Sequence, residues 1–350
     1  MKSTYDYLIV GQGLAGTLLA HFLLQAKKTV LLVDDHHKGA ASKVAAGIIN
    51  PITGRRYVKS WRIDDLLPFA RQIYRQLEQQ LNISFYHPNH VIRSLFNRRE
   101  ENDWQLRLGQ EGYQKYMLAK ADLGSYAEHT LPAFSYGEVQ NAAQVDLGKL
   151  VSTYADHFLE QDQLIREPFD FSALAVHQHE VHYKGYTARQ LIFCEGHQAA
   201  QNPFFNYLPF GGAKGEVLII RIPDAQFEKM LKHRVFIVPL EGNRYWVGSS
   251  YEWDYQDDQP TSAGRAFLEE RLRDMLSVPF EVVAHLAAIR PTVKDRRPFL
   301  GQHPEFASLF IFNGLGTKGA SLGPFWAKHM ADHLVSGNPI DSAVNISRFM

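Results

Sequence analysis

Residues Tyr5 to Val10 form a short apolar run with β-branched members, and the run stops at Gly11-Gln12-Gly13-Leu14-Ala15-Gly16, which is the pattern of a strand meeting a glycine turn. From Leu14 to Gln25 the apolar residues Leu14, Leu18, Leu19, Phe22 and Leu23 recur at helical spacing, and Thr29 to Val33 is again strand-like before Asp34-Asp35. Together these segments predict a βαβ unit. Further along, Asp64 is placed to cap a helix whose Leu67, Ala70, Ile73, Tyr74, Leu77 and Leu81 make one apolar stripe. Thr261 starts another helix, expected to reach Leu276, and a closing helix from Gly319 to Val335 meets Gly337 as its C-cap. Arg98-Arg99-Glu100-Glu101 reads as exposed loop, and His177, His179 and His182 as the polar surface of a strand or hairpin.

Composition narrows the function classes. The 350 residues carry 37 Lys+Arg against 37 Asp+Glu, so no global charge drives binding to nucleic acid. A local basic run, Arg55, Arg56, Lys59 and Arg62 with Tyr57 and Trp61 interleaved, suits RNA phosphates or a larger anionic substrate, the favoured reading being a solvated edge. The single cysteine, Cys194, excludes an intrachain disulfide and a thiolate-rich metal site, sits in an apolar strand, and suits a reducing compartment. The apolar stretch Tyr7 to Ala26 is broken by Gly11-Gln12-Gly13 and His21 and lacks a small-x-small cleavage pattern, so neither a signal peptide nor a membrane span is expected. A soluble, cytoplasmic protein is the reading.

The glycine turn carries the first chemistry. Gly11 allows a tight turn, Gly13 lets the backbone approach a pyrophosphate, Gly16 lets the helix pack on the sheet, and amides at Leu14 and Ala15 lie at the helix end that receives phosphate charge. Asp34, with Asp35 beside it, sits where an acid accepts from a ribose hydroxyl. An acid there favours FAD or NAD over NADP, and spacing alone does not separate the two.

Beyond this unit the chain resembles the D-amino-acid oxidase superfamily of FAD enzymes. The resemblance rests on the small-residue loop Ala41 to Pro51, the strand-glycine segment Leu191 to Gly196, Gly215-Glu216, the strand Val235 to Pro239 with Val247 to Ser250, Ile289 to Gly301, and the turn Asn313 to Gly319. It covers essentially the whole chain and implies non-covalently bound FAD. The implied fold is an α/β Rossmann-type FAD-binding domain, discontinuous over 1–85, 145–215 and 281–350, with a mixed-sheet α+β substrate domain over 86–144 and 216–280.

The resemblance also implies site residues. Cofactor contacts fall on Gly11, Gly13, Leu14, Ala15, Gly16, Asp34, Asp35, Ser42, Ala45, Ala46, Gly47, Ile49, Gly196, Gly314, Leu315, Gly316, Thr317, Lys318 and Gly319, with Lys318 also a stabiliser of charge on reduced flavin. Arg290 aligns with the substrate-carboxylate arginine of glycine oxidase, its competing role being an ion pair with Asp295. Phe236 stands where glycine oxidase has a tyrosine and Tyr251 near its active-site methionine, which argues against free glycine as substrate. The implied activity is oxidation of the C–N bond of a small amine, amino acid or N-substituted amino acid by hydride transfer to flavin N5, with oxygen the expected acceptor. Two alternatives stand beside it: a tRNA-modifying oxidase acting on a carboxymethylaminomethyl wobble uridine, less favoured, and a redox-silent FAD-binding protein.

Overall fold

A computed structural model describes residues 4–350. In chain order the elements are β1 (Thr4–Val10), α1 (Leu14–Gln25), β2 (Val30–Asp34), α2 (Ala41–Val44), β3 (Ile48–Ile49), β4 (Ile52–Thr53), β5 (Val58–Lys59), α3 (Ile63–Leu81) and β6 (Tyr86–Leu95). There follow α4 (Arg98–Leu108), β7 (Met117–Leu118), α5 (Tyr126–His129), β8 (Ser135–Val145), α6 (Leu147–Glu160), β9 (Leu164–Arg166), β10 (Leu174–Val176), β11 (Val181–Tyr183) and β12 (Tyr186–Phe193). The remainder comprises β13 (Phe210–Arg221), β14 (Met230–Lys232), β15 (Phe236–Leu240), β16 (Arg244–Gly248), α7 (Ser262–Arg273), β17 (Glu281–Val293), β18 (Phe299–Gln302), β19 (Leu309–Asn313) and α8 (Gly319–Ser336).

These elements divide into two compact units, one built from the chain up to Ala45, Leu147–Ala213 and Ile289–Met350, the other from Ala46–Asp146 and Lys214–Ala288. Residues 46–85 were expected with the nucleotide-binding segments and instead belong to the second unit. Pairing is the reason: β3 joins β8, Val145 N donates to Gly47 O at 3.0 Å, and Glu78 of α3 accepts from the amides of Phe85 and Tyr86 at 2.8 and 2.7 Å. The crossing back near 281 is likewise displaced, to 289.

In the first unit β1 lies between β2 and β12, with β9 beyond β2 and β19 beyond β12, and all four pairings are parallel. Antiparallel strands finish the sheet, β18 on β19 and the β10–β11 hairpin on β12. Tyr7 to Val10, Val30 to Val33, Leu191 to Phe193 and Leu309 to Ile311 are buried throughout, because both faces of the sheet are covered, one by helix α1 and the other by Val181 and Tyr183 of β11 with Phe205 and Leu208. That is why these strands read as unbroken apolar runs rather than alternating ones. Helix α1 is buried from Leu14 through Leu23. Burial drives His21 down to about 4, so its neutral ring shares a 2.7 Å hydrogen bond with the Tyr154 hydroxyl of α6. Because the strands are parallel, Val10, Asp34, Phe193 and Asn313 all finish on one edge, where open α/β sheets bind ligands.

The second unit is organised on a mixed sheet in the order β17-β13-β16-β15-β14-β6-β8-β3, with β7 on β8. One face packs Ile92, Leu218, Ile220, Leu231, Ile237 and Val247 against Leu268 and Leu272 of α7 and against Tyr126. Thr261 caps α7 as expected, accepting from Gly264 N at 3.0 Å, but the helix ends at Arg273 rather than Leu276. Helix α3 starts at Ile63, so Asp64 lies in its first turn rather than at its cap, bound to Lys59 at 2.9 Å and the Tyr116 hydroxyl at 2.7 Å. Arg98 to Glu101 is not a loop: it opens α4, because Asn97 accepts from Glu100 N at 3.0 Å and two acids in the first turn suit the helix dipole. Among the described residues no helix is long and apolar enough to cross a membrane.

Candidate functional site

At the carboxyl edge of the first unit, the turn after β1 closes only because it is built of glycine. Gly11 has φ +97°, and a Cβ there would lie 2.5 Å from Cys194 O; one on Gly16 would lie 1.9 Å from Gly11 O. Asp34 ties this turn to the end of β2, its Oδ2 accepting from Gln12 N at 2.7 Å and its Oδ1 from His36 N at 2.8 Å. Asp35 accepts locally, from His37 N at 3.0 Å, and is exposed. Ser42 Oγ accepts from Leu14 N at 3.0 Å. Helix α1 therefore starts from Gly13 with no side-chain bond from its cap residue and no acid in its first turn. With no acid in its first turn, the helix end keeps a partial positive charge, which fits a pyrophosphate.

The neighbouring strand ends form the rest of this edge. Asn313 Nδ2 donates to Gly196 O at 2.9 Å while its Oδ1 accepts from Gly314 N at 2.8 Å, so one side chain fastens the end of β19 to that of β12. Leu315 is buried, Gly316 to Lys318 make a single 3-10 turn, and α8 then starts at Gly319, again without a side-chain cap or an acid in its first turn. Thr317 is exposed and Lys318 half-buried, its ammonium pulled below the usual lysine range by burial and by Arg296. On β17, the half-buried Arg290 donates from Nη1 to Ala213 O at 3.3 Å. Asp295, its expected structural rival partner, is engaged by Arg348 Nε at 2.8 Å.

Glu195, at the end of β12, was not singled out from the sequence. Burial pushes its carboxyl up to about 7, opposed only by the 2.7 Å bond its Oε2 accepts from Asn202 Nδ2. The signal for it was an acid placed directly after an apolar strand and before a glycine. Next to it, Cys194 is buried, and its thiol is raised well above its ordinary value by burial and by Glu195, which makes it an inert packing residue.

The remaining expected residues lie on the second unit or outside any cluster. Ala46, Gly47 and Ile49 are buried, whereas Ala45, just before them on the first unit, is exposed. Phe236 on β15 carries Lys232 Nζ 4.6 Å from its ring centroid. Tyr251 is half exposed and meets Trp253 edge-on at 5.0 Å. The basic run is partly neutralised, Lys59 by Asp64 and Arg62 by Asp65 at 3.3 Å, with Arg55 and Arg56 left on the surface. The rings of His177 and His182 meet at a tilt with centroids 4.8 Å apart, and His182 bonds to Glu180 at 2.7 Å.

Comparison with known proteins agrees with this geometry. The chain is 21% identical over 95% of its length to the tRNA 5-methylaminomethyl-2-thiouridine biosynthesis bifunctional protein of Marinobacter nauticus, of which it spans 56%. It is 23% identical over 96% of its length to the glycine oxidase of Bacillus subtilis, of which it spans 94%. The crystal structure of glycine oxidase from Geobacillus kaustophilus superposes with a TM-score of 0.80 at 22% identity, covering 99% of this chain and 98% of that one, which shows a shared fold. The model of the DAO family, FAD dependent oxidoreductases, matches residues 6–333. A βαβ glycine turn, an acid at the end of β2 and an uncapped closing helix are what such a cofactor asks of a chain, and this protein belongs to the DAO family of FAD-dependent oxidoreductases.

Proposed function

We propose that this protein oxidises the C–N bond of an amino acid or N-substituted amino acid, passing the electrons on to oxygen, with Arg290 holding the substrate carboxylate. Family membership carries the reading, and the placement of Arg290 supports it: a half-buried planar guanidinium on β17, whose fork suits a carboxylate. FAD, when bound, supplies the hydride acceptor.

The chain's own residues then have three tasks. Gly13, Leu14 and Ala15 hold the pyrophosphate at the start of α1, and Asp34 accepts from a ribose hydroxyl. The amides opening α8, with Lys318, would hold the flavin ring of FAD and would favour negative charge there. Arg290 orients the carboxylate so that the Cα–H is presented in one geometry.

Anaerobic titration of the purified protein, following the visible flavin band, tests this. Small amino acids and N-methyl amino acids are expected to bleach it, and Arg290→Ala is expected to retain FAD but weaken the substrate by about 2–4 kcal/mol, the scale for stranding a charged group. Unchanged affinity removes Arg290 from the site. Bleaching only by carboxymethylaminomethyl-modified tRNA transfers the reading to a tRNA oxidase, and an oxidised spectrum throughout ends it.

A further inference from the structure

The first unit carries a cleft at the edge of its sheet opposite the glycine turn. β19 ends at Asn313 on the side of that turn and begins at Leu309 on the other, and the loop before Leu309 walls the cleft together with the segment after Asn202 and with Phe349. The space enclosed is about 440 Å³, and all of its lining belongs to the first unit. Local bonds shape the two main walls. Asn202 Oδ1 accepts from Phe204 N at 2.8 Å, and His303 Nδ1 accepts from the amides of Glu305 and Phe306 at 3.1 and 3.2 Å.

With Nδ1 accepting, the hydrogen-bond network assigns the ring proton of His303 to Nε2, which donates to Phe204 O at 2.9 Å and fastens one wall to the other. Both nitrogens are thus spent inside the protein, and burial favours the neutral ring, so His303 offers the cleft only its π surface. Three further rings gather around it, Phe306, Tyr207 and Phe204, with centroids 5.0, 6.1 and 6.4 Å away. Phe204 and Phe306 meet at 85°, so the walls present π surface in two directions. Tyr207 is 43% and Phe306 36% exposed, large rings left in water beside one another. The same wall holds Glu305, which is exposed and whose carboxylate, among the described residues, has no hydrogen bond or ion pair. The cation nearest these rings, Arg348, lies 4.6 Å from the Phe349 centroid and is already matched by Asp295 at 2.8 Å. Glu305 is therefore the unbalanced charge of the cleft.

We propose that this cleft is a binding site for a small organic ammonium ion, whose alkyl groups meet the rings of Tyr207 and Phe306 and whose charge faces Glu305. A neutral apolar ligand would use the rings and leave the carboxylate idle, and an anion would be repelled by both. An alkylated ammonium uses both, because the negative faces of aromatic rings attract a cation whose hydration is weak. The site lies at the far edge of the sheet from the glycine turn and stands independently of the oxidase reading.

The test is calorimetric titration of the FAD-loaded protein with choline and with neopentylcarbinol, the same shape with carbon in place of the quaternary nitrogen. Choline is expected to bind about tenfold more tightly than its neutral isostere. Tyr207→Leu with Phe306→Leu, which keeps apolar walls and removes their π faces, is expected to bring the two ligands to within about twofold, and Glu305→Gln to weaken choline about threefold while leaving the isostere unchanged. Tyr207 and Phe306 are exposed, and a retained flavin band shows that each variant is folded. Equal binding of the two ligands, no binding of either, or a choline preference that survives the double variant overturns the proposal, the last because it places the cation elsewhere on the protein.

Discussion

Gly13→Ala separates what the glycine turn does for the fold from what it does for the cofactor. Gly13 is the N-cap of α1 with φ −70° and ψ −167°, a backbone conformation open to any residue. A methyl there would meet one atom, Ser42 Oγ at 3.3 Å, so the hydroxyl has only to give by a few tenths of an ångström. Exchanging glycine for alanine at an N-cap costs roughly 0.5–1 kcal/mol, and the stiffer unfolded chain returns about 0.4–1 kcal/mol, so folding stability should move by less than about 1 kcal/mol. Cofactor binding should not be spared. The methyl would stand beside Ser42 Oγ, the acceptor of the Leu14 amide, at the helix end where a phosphate is expected, and a hydrogen bond to a charged acceptor is worth roughly 1.5–3 kcal/mol, so losing one lowers FAD affinity about 10–10²-fold. Gly16→Ala is the contrasting variant: its Cβ would sit 1.9 Å from the carbonyl of Gly11, the helix must back away, and stability is expected to fall together with affinity. Apoprotein reconstituted with FAD gives the dissociation constant from flavin fluorescence, and urea midpoints give the stability. A Gly13→Ala protein that binds FAD within threefold of the parent, with its stability unchanged, would show that no phosphate sits on this helix end.

Two further outcomes follow from groups buried in each unit. Glu195 holds its proton up to about 7, above the ordinary glutamate value of 4.5 that it regains on unfolding, so its contribution to stability is complete below the unfolded value and lost as pH rises through the folded one. Urea unfolding of the parent should therefore weaken by up to about 3 kcal/mol between pH 4.5 and 7.5 relative to Glu195→Gln, and parallel profiles for the two proteins would refute the assignment. In the second unit, Thr261 Oγ1 accepts from Gly264 N at 3.0 Å and donates to the fully buried Glu216 at 2.7 Å. Thr261→Ala should cost about 2–4 kcal/mol, a lost cap plus a lost bond to a buried carboxylate, and a loss below 1 kcal/mol would mean that Glu216 finds another donor.

Local chemistry made the first βαβ unit legible. Gly11 and Gly16 are required by contacts to atoms only a few residues away or on the neighbouring strand, and the parallel core strands announce themselves because both their faces are dry. The cap at Thr261 and the left-handed Gly337, φ 69°, are equally local. The stretch Arg98 to Glu101 differs from its expected loop because one local bond, from Glu100 N to the Asn97 side chain, turns a charged run into the start of α4.

The sequence by itself thus determined a strand-glycine-helix nucleotide turn, an acid at the end of the following strand, and membership of an FAD-dependent family, since each depends on residues close in the chain or on motifs in a fixed order. Only the tertiary structure decided that residues 46–85 join the second unit, that Asp295 belongs to Arg348, that Glu195 is buried beside Cys194, and that Lys232 and Arg93 stand abreast. Each of these turns on strand register or on burial by distant segments. A pairing such as Lys232 with Arg93 joins positions far apart in the chain, and sheet register leaves no trace in the spacing of either strand alone.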